Sequence, residues 1–173
     1  MESRIAIIDA DITTLDVDAI VNAANEALAP GGGVCGAIHR KAGPELAAAC
    51  AEIGGCPTGE SRLTPGFGLP AQYVIHSVGP IWGGGERGEG AKLASCYRTA
   101  LLLAAENGLG SIAFPAISTG IYGFPSDRAA LIALRTVRET LPEVPGVARV
   151  VFCCFGSESR ALHEAALAAT GDT

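Results

Sequence analysis

A chain of 173 residues with a formal net charge of −6 has room for one domain with a sizeable core, and no Ser- or Pro-rich linker divides it, so residues 1–173 read as a single domain. The acidic balance and an aromatic content of 5% leave no basic stripe to neutralise a phosphate backbone and no evident platform for stacking bases, so general nucleic-acid binding is not expected. The N-terminal "MESRIAIIDADITT" has an apolar core of only four residues, and no 18-residue apolar run follows, which predicts a cytoplasmic chain without a signal peptide or membrane span.

In chain order, short β-rich apolar runs at 4–8 ("RIAII") and 18–23 ("DAIVNA") read as buried strands. A glycine-rich segment follows, and then a helical run from near Val34 through His39, Leu46 and Ala49. Strands are expected again at 73–78, 111–117 and 148–155. Between and after them, apolar residues step by three and four at Leu93, Cys96, Tyr97, Ala100 and Ala104, at Ala130, Leu134, Val137 and Leu141, and at Leu162, Ala166 and Ala169. Ser126 and Ser157 are candidate N-caps, the glycines of "ENGLG" (106–110) are a stop, and Pro142 with Pro145 ends the helix before them. Alternating strands and helices predict an α/β domain with a mixed central sheet between two helix layers.

The six cysteines (35, 50, 56, 96, 153 and 154) form no CxxC pair or finger spacing, which predicts small buried hydrophobes rather than disulfides. His39 falls four residues after Cys35 and could share its helix face, but two ligands make no zinc site, so no metal is expected. His76 sits in an apolar strand as a hydrogen-bonded core residue, and His163 fits the polar side of the last helix.

The stretch "NAANEALAPGGGVCGAIHRKAGP" (22–44) places Gly31, Gly32, Gly33 and Gly36 at a strand-to-helix junction. Such a turn presents free backbone N–H groups at a helix N-terminus, which bind phosphate without lysine or arginine. "STGIYG" (118–123) makes a second loop of small residues after a strand, so the two could grip a diphosphate from both sides. Gly31, Gly33 and Gly36 also satisfy GxGxxG literally, but "NEALAP" separates them from the strand and no acid follows at a second strand's end, which argues against a dinucleotide fold.

Five blocks, "DADITTLDVDAIVNAANEAL", "GGGVCGAIHRKAGPEL", "TPGFGLPAQYVIHSVGP", "AFPAISTGIYGFP" and "VVFCCF", resemble the MacroD-type macrodomain in order and spacing along nearly the whole chain. The resemblance implies a three-layer α/β/α fold that binds ADP-ribose without a cofactor. It implies as partners ADP-ribose or O-acetyl-ADP-ribose and ADP-ribosylated proteins, with hydrolysis of ADP-ribose esters on acidic side chains or deacetylation of O-acetyl-ADP-ribose.

By the same similarity, Asp11 accepts from the adenine amine and the Ile12 N–H reaches the ring, although an Asx-turn ahead of Thr13 is an ordinary alternative for Asp11. Phe155 is placed beside adenine, against core packing as its alternative, and Tyr122 over the distal ribose, against simple surface closure. Gly31, Gly32, Gly33 and Val34 on one loop, with Ser118, Thr119, Gly120 and Ile121 on the other, are the implied ligand-binding set. Asn25 is matched to the residue that holds a distal-ribose hydroxyl near the scissile bond, while Asn22 shapes the turn. Cys35 departs from the pattern, because hydrolytic members commonly carry aspartate there and a neutral thiol does not activate water as a carboxylate does. Three classes follow: an ester hydrolase with Asn25 and bound phosphates positioning water, a binding module that has lost efficient turnover, and, last, a nicotinamide dinucleotide oxidoreductase.

Overall fold

Six strands pair in the order β1-β6-β5-β2-β4-β3, with β1 at Ile5–Asp9, β2 at Ala19–Ala24, β3 at Ser61–Pro65, β4 at Tyr73–Val78, β5 at Ser111–Phe114 and β6 at Arg149–Cys154. The computed structural model describes residues 4–171. Every neighbouring pair is parallel except β3 with β4, which is antiparallel at the edge. Helices α1 (Gly33–Ala42) and α2 (Pro44–Ile53) cover one face, and α3 (Glu89–Glu106), α4 (Ser126–Thr140) and α5 (Ser157–Thr170) cover the other. The result is the expected three-layer α/β/α arrangement with a mixed sheet.

Strand alternation divides the core in two. On β2, Ala19 and Val21 face the α3/α4/α5 layer while Ile20 and Ala24 face α1 and α2; on β6, Val150 and Phe152 take the first side and Val151 and Cys153 the second. The stripes Leu93, Cys96, Tyr97, Ala100 and Ala104 on α3, and Ala130, Leu134 and Val137 on α4, are buried as their periodicity requires. All six cysteines are buried and free.

Four local expectations are corrected. The helical run from Val34 is two helices, because Gly43 turns with φ 95° and Pro44 starts α2. β3 carries "SRLTP", whose polar residues and terminal proline conceal an edge strand from any hydrophobic pattern. Ser126 and Ser157 begin their helices but do not cap them: Pro125 and Gly156 occupy the cap positions, neither with a side-chain cap bond, and the Gly156 N–H donates to Asp9 Oδ1 at 3.0 Å. His163 is buried on the core side of α5, its ring 5.6 Å from that of Phe152 and its Nδ1 2.8 Å from the Ser159 carbonyl. A histidine that satisfies one nitrogen within its own helix can give its ring to the core.

His76, fully buried on β4, is hydrogen-bonded as expected, to Asn22 at 3.1 Å and Thr64 at 2.9 Å. Burial pushes it down from 6.5 to about 4, with neighbouring His39 acting the same way. Between those values the unfolded chain binds the proton and the folded chain does not, so stability falls as pH drops from 6.5 toward 4 and levels off below. Replacing His76 with Gln should flatten that decline, by at most about 3 kcal/mol across the window. Thermal melts of both proteins between pH 7 and 4 measure it, and unchanged slopes would show that other groups carry the acid sensitivity.

Candidate functional site

Five adjacent strands run parallel, so their carboxyl ends lie on one edge of the sheet, and in an α/β sheet the crevice outside that edge is where ligands bind. A cavity of about 200 Å³ opens there, lined by Asn25 and 31–35 after β2, by Gly79 after β4, and by 115–118 and 120–122 after β5. Its lining contains no Asp or Glu side chain.

Helix α1 starts at this cavity with Gly32 as its cap, and its first turn has neither a capping side chain nor an acidic residue. The first intrahelical bond is Gly36 N–H to the Gly32 carbonyl, so the N–H groups of Gly33, Val34 and Cys35 have no acceptor among the described residues. Gly36 must be glycine for this turn, because a Cβ would stand 2.5 Å from the Gly31 carbonyl oxygen.

The second loop supplies four more N–H groups unpaired among the described residues, from Ser118, Gly120, Ile121 and Tyr122, whereas those of Gly123 and Phe124 close the loop on Gly120 and Ser118. Ser118 is held at φ 69° with its Oγ donating to the Pro80 carbonyl at 2.8 Å. A buried serine in the left-handed region is strained backbone of the kind that accumulates at functional sites. From the core, the buried Tyr97 hydroxyl lies 3.4 Å from both the Pro115 carbonyl and the Ile117 N–H and so fixes the exit of β5. Thr119 is directed elsewhere: its N–H and hydroxyl both bond to Ala116, and it does not line the cavity.

Asn25 lines the cavity while its amide makes a turn, Nδ2 donating to the Ala29 carbonyl (2.9 Å) and Oδ1 accepting from the Ala29 N–H (3.0 Å). One amide hydrogen and one lone pair remain for a ligand. Asn22 is not a turn residue; it is 1% exposed within β2, where Nδ2 reaches both His76 Nδ1 and Cys35 Sγ (3.7 Å). Cys35 is not in the glycine loop itself but in the first turn of α1, buried, with its thiol donating to the Ala29 carbonyl at 3.7 Å.

Asp11, Ile12 and Phe155 do not line this cavity. Asp11 and Ile12 follow β1 and Phe155 follows β6, the neighbouring strands on the same edge. Asp11 does cap a turn, as its ordinary alternative required: the Thr13 hydroxyl (2.7 Å) and N–H (3.0 Å) both bond to Oδ1 and hold the carboxyl below its usual range. Oδ2 accepts from no donor among the described residues, so the carboxylate keeps acceptor capacity. Phe155 is 89% exposed, which removes core packing as its role, and Ile121 on the second loop is 91% exposed. Among the described residues no third His, Cys, Asp or Glu joins His39 and Cys35 in a group that could hold a metal ion.

Residues 21–133 match the Macro domain family model. The chain belongs to that family. A macro domain-containing protein of Chlorobaculum tepidum is 59% identical over 162 residues, covering 94% of each chain. The O-acetyl-ADP-ribose deacetylase of Klebsiella pneumoniae is 54% identical over 162 residues, 91% of this chain and 93% of that one. Among solved structures, a Trypanosoma brucei macrodomain in complex with ADP-ribose superposes with a TM-score of 0.88 at 48% identity, covering 95% of this chain and 69% of that one.

Sequence reasoning missed Gly79 in this macrodomain, although "GP" after a strand is a turn signal. A Cβ there would overlap Ser118 Oγ and approach Ile117 Cγ2 to 2.6 Å. Gly79→Ala should therefore displace the 118–122 loop and cost about 1–3 kcal/mol, as overpacking does. A lowered Tm with faster amide exchange confined to that loop is the expected result, and wild-type exchange there would show that the methyl is absorbed elsewhere.

Proposed function

We propose that this macrodomain binds ADP-ribose along the carboxyl edge of its sheet and hydrolyses esters of it, either O-acetyl-ADP-ribose or ADP-ribose carried on acidic side chains. The observation that supports this most is the convergence of two sets of unpaired backbone N–H groups, from 33–35 and from 118 and 120–122, on one cavity without a carboxylate. A diphosphate satisfies both sets at once, and it does so in a net-acidic chain because the donors are backbone dipoles rather than side-chain cations.

The order of strands then orders the ligand. Adenine lies over the ends of β1 and β6, where Asp11 accepts from its amine, the Ile12 N–H, without an acceptor among the described residues, serves the ring and exposed Phe155 offers a stacking face. The diphosphate sits between the loops after β5 and β2, and the distal ribose falls under Tyr122 beside Asn25. From β1 to β2 is three inter-strand steps, about 14 Å, which suits an extended diphosphate-linked ligand. The Trypanosoma brucei macrodomain that superposes on this chain was solved in complex with ADP-ribose.

At the reacting end, the spare amide hydrogen and lone pair of Asn25, together with a phosphate oxygen, hold the water that cleaves the ester and releases a carboxylate and ADP-ribose. Cys35 is no nucleophile in this scheme: its thiol is engaged with a backbone carbonyl, and Asn22 above it is an amide rather than a base. That same geometry favours a second reading, a binding module with little turnover, because no carboxylate stands where a water must be activated.

Isothermal titration should show ADP-ribose binding clearly and AMP much more weakly, with Asp11→Ala losing about 1–3 kcal/mol of ADP-ribose affinity. Equal affinities for the two ligands would sink the two-loop assignment. For catalysis, single-turnover release of ADP-ribose from an acidic-residue ester separates the readings. Asn25→Ala should slow release about 10–100-fold with affinity nearly kept, Cys35→Ala should retain most turnover, and Cys35→Asp should raise it. Inactivity of the parent and all variants despite tight binding would establish the binding module, and a trapped thiol adduct in the parent would make Cys35 a catalyst.

A further inference from the structure

Beyond the carboxyl end of β4 lies a second cavity of about 510 Å³, and it shares two wall residues, Gly79 and Tyr122, with the first. It is the next place along the edge after β2, and on the ADP-ribose reading above it adjoins the distal-ribose end of the ligand.

This cavity is lined by two acids and two cations, Glu26, Glu89, Arg87 and Lys92, in unequal states. Glu89 is buried and spent: Oε2 accepts from the N–H groups of Gly83 (2.8 Å) and Gly85 (3.0 Å), and Oε1 from that of Arg87 (2.7 Å). These bonds, that of Gly83 foremost, hold its carboxyl near 2, so it remains charged and its acceptors stay occupied throughout the neutral range. Glu26 Oε2 accepts from the Thr58 N–H (3.3 Å) and hydroxyl (2.8 Å). The head groups of Arg87 and Lys92, by contrast, are exposed and have no hydrogen-bond or ion-pair partner among the described residues. An incoming chain therefore meets free cationic donors beside acceptors that are largely in use.

The wall that carries them is built rather than loose. The Trp82 N–H donates to the Tyr122 carbonyl (2.8 Å), the Trp82 and Phe124 rings lie 4.7 Å apart, and the Arg128 guanidinium sits 5.5 Å from the Trp82 ring centroid. With the Glu89 clamp behind it, the 81–88 segment and the 118–124 loop hold a common position. Ile81, 68% exposed on the same wall, adds an apolar contact that a solvated charge cluster has no need of.

We propose that this second cavity receives the acidic polypeptide to which ADP-ribose is attached, with Arg87 and Lys92 contacting carboxylates that flank the modified residue. The inference rests on the ADP-ribose reading above, and it commits that reading to a protein substrate in addition to small esters.

The test uses three conjugates that carry ADP-ribose through a non-cleavable amide link, on a glutamate-rich peptide, a lysine-rich peptide and a short DNA oligomer, with free ADP-ribose as reference. The glutamate-rich conjugate should bind about five- to tenfold tighter than free ADP-ribose at low salt, losing that gain at high salt. The lysine-rich conjugate should show no gain. Arg87→Glu/Lys92→Glu should abolish the gain while leaving the affinity for free ADP-ribose unchanged, which also reports correct folding. Equal binding of the glutamate-rich conjugate and free ligand in the wild type, a gain that survives the double reversal, or tighter binding of the DNA conjugate overturns the proposal while leaving ADP-ribose binding intact. Absence of ADP-ribose binding altogether overturns the underlying reading and this one with it.

Discussion

The common direction of five neighbouring strands is the constraint from which the site follows. Because β1, β6, β5, β2 and β4 all run the same way, every chain exit falls on one edge, and the turns into helices leave backbone N–H groups there without partners. Such groups cost free energy when buried unpaired, so an edge that keeps several of them at one cavity is poised for an anion. The glycines serve this arrangement sterically: Gly36 lets the first loop fold against its own helix, and Gly79 lets β4's exit lie against Ser118.

What fixes the first of these loops is a polar chain through the sheet. Thr64 on β3, His76 on β4, Asn22 on β2 and Cys35 on α1 are linked in turn, and the Cys35 thiol ends on the Ala29 carbonyl that Asn25 also holds. With Nδ2 of Asn22 donating to His76 Nδ1, the histidine carries its proton on Nε2 and donates to Thr64. The Asn22 Oδ1 is left buried without a partner, so the network is anchored at one end and incompletely satisfied in the middle. The weakly polar sulfur of Cys35 tolerates its burial at that position. The thiol thus reads as part of the support for the loop, bonded on one side to Asn22 and on the other to the Ala29 carbonyl.

The two cavities share Gly79 and Tyr122 and so belong to one continuous crevice, with its electrostatics divided along its length. Over the first stretch the donors are backbone N–H groups, fixed in place and uncharged; over the second they are the side chains of Arg87 and Lys92. Fixed dipoles suit a ligand of one shape, whereas long flexible cations accommodate sequences that vary.

The sequence by itself determined the layered α/β architecture, five of the six strands and the buried faces of α3 and α4, because those depend on apolar periodicity that each segment carries alone. It also located the two turns that border the cavity, since small residues and glycines after a strand are a local signal, and the quoted blocks carried the family. β3 escaped because "SRLTP" is stabilised by pairing with β4 rather than by its own hydrophobicity. His163 and Asn22 were misplaced because a polar residue's burial depends on partners brought from elsewhere: the carbonyl of Ser159 and the ring of Phe152 for one, His76 and Cys35 for the other. Phe155 went the opposite way, an apolar residue left exposed because β6 ends at Cys154 and Gly156 turns the chain into α5. Only the tertiary structure decided that Arg87 and Lys92 share a cavity with Tyr122, since the hydrogen bonds of Glu89 and Trp82 that bring their segment there join residues whose types announce no such contact.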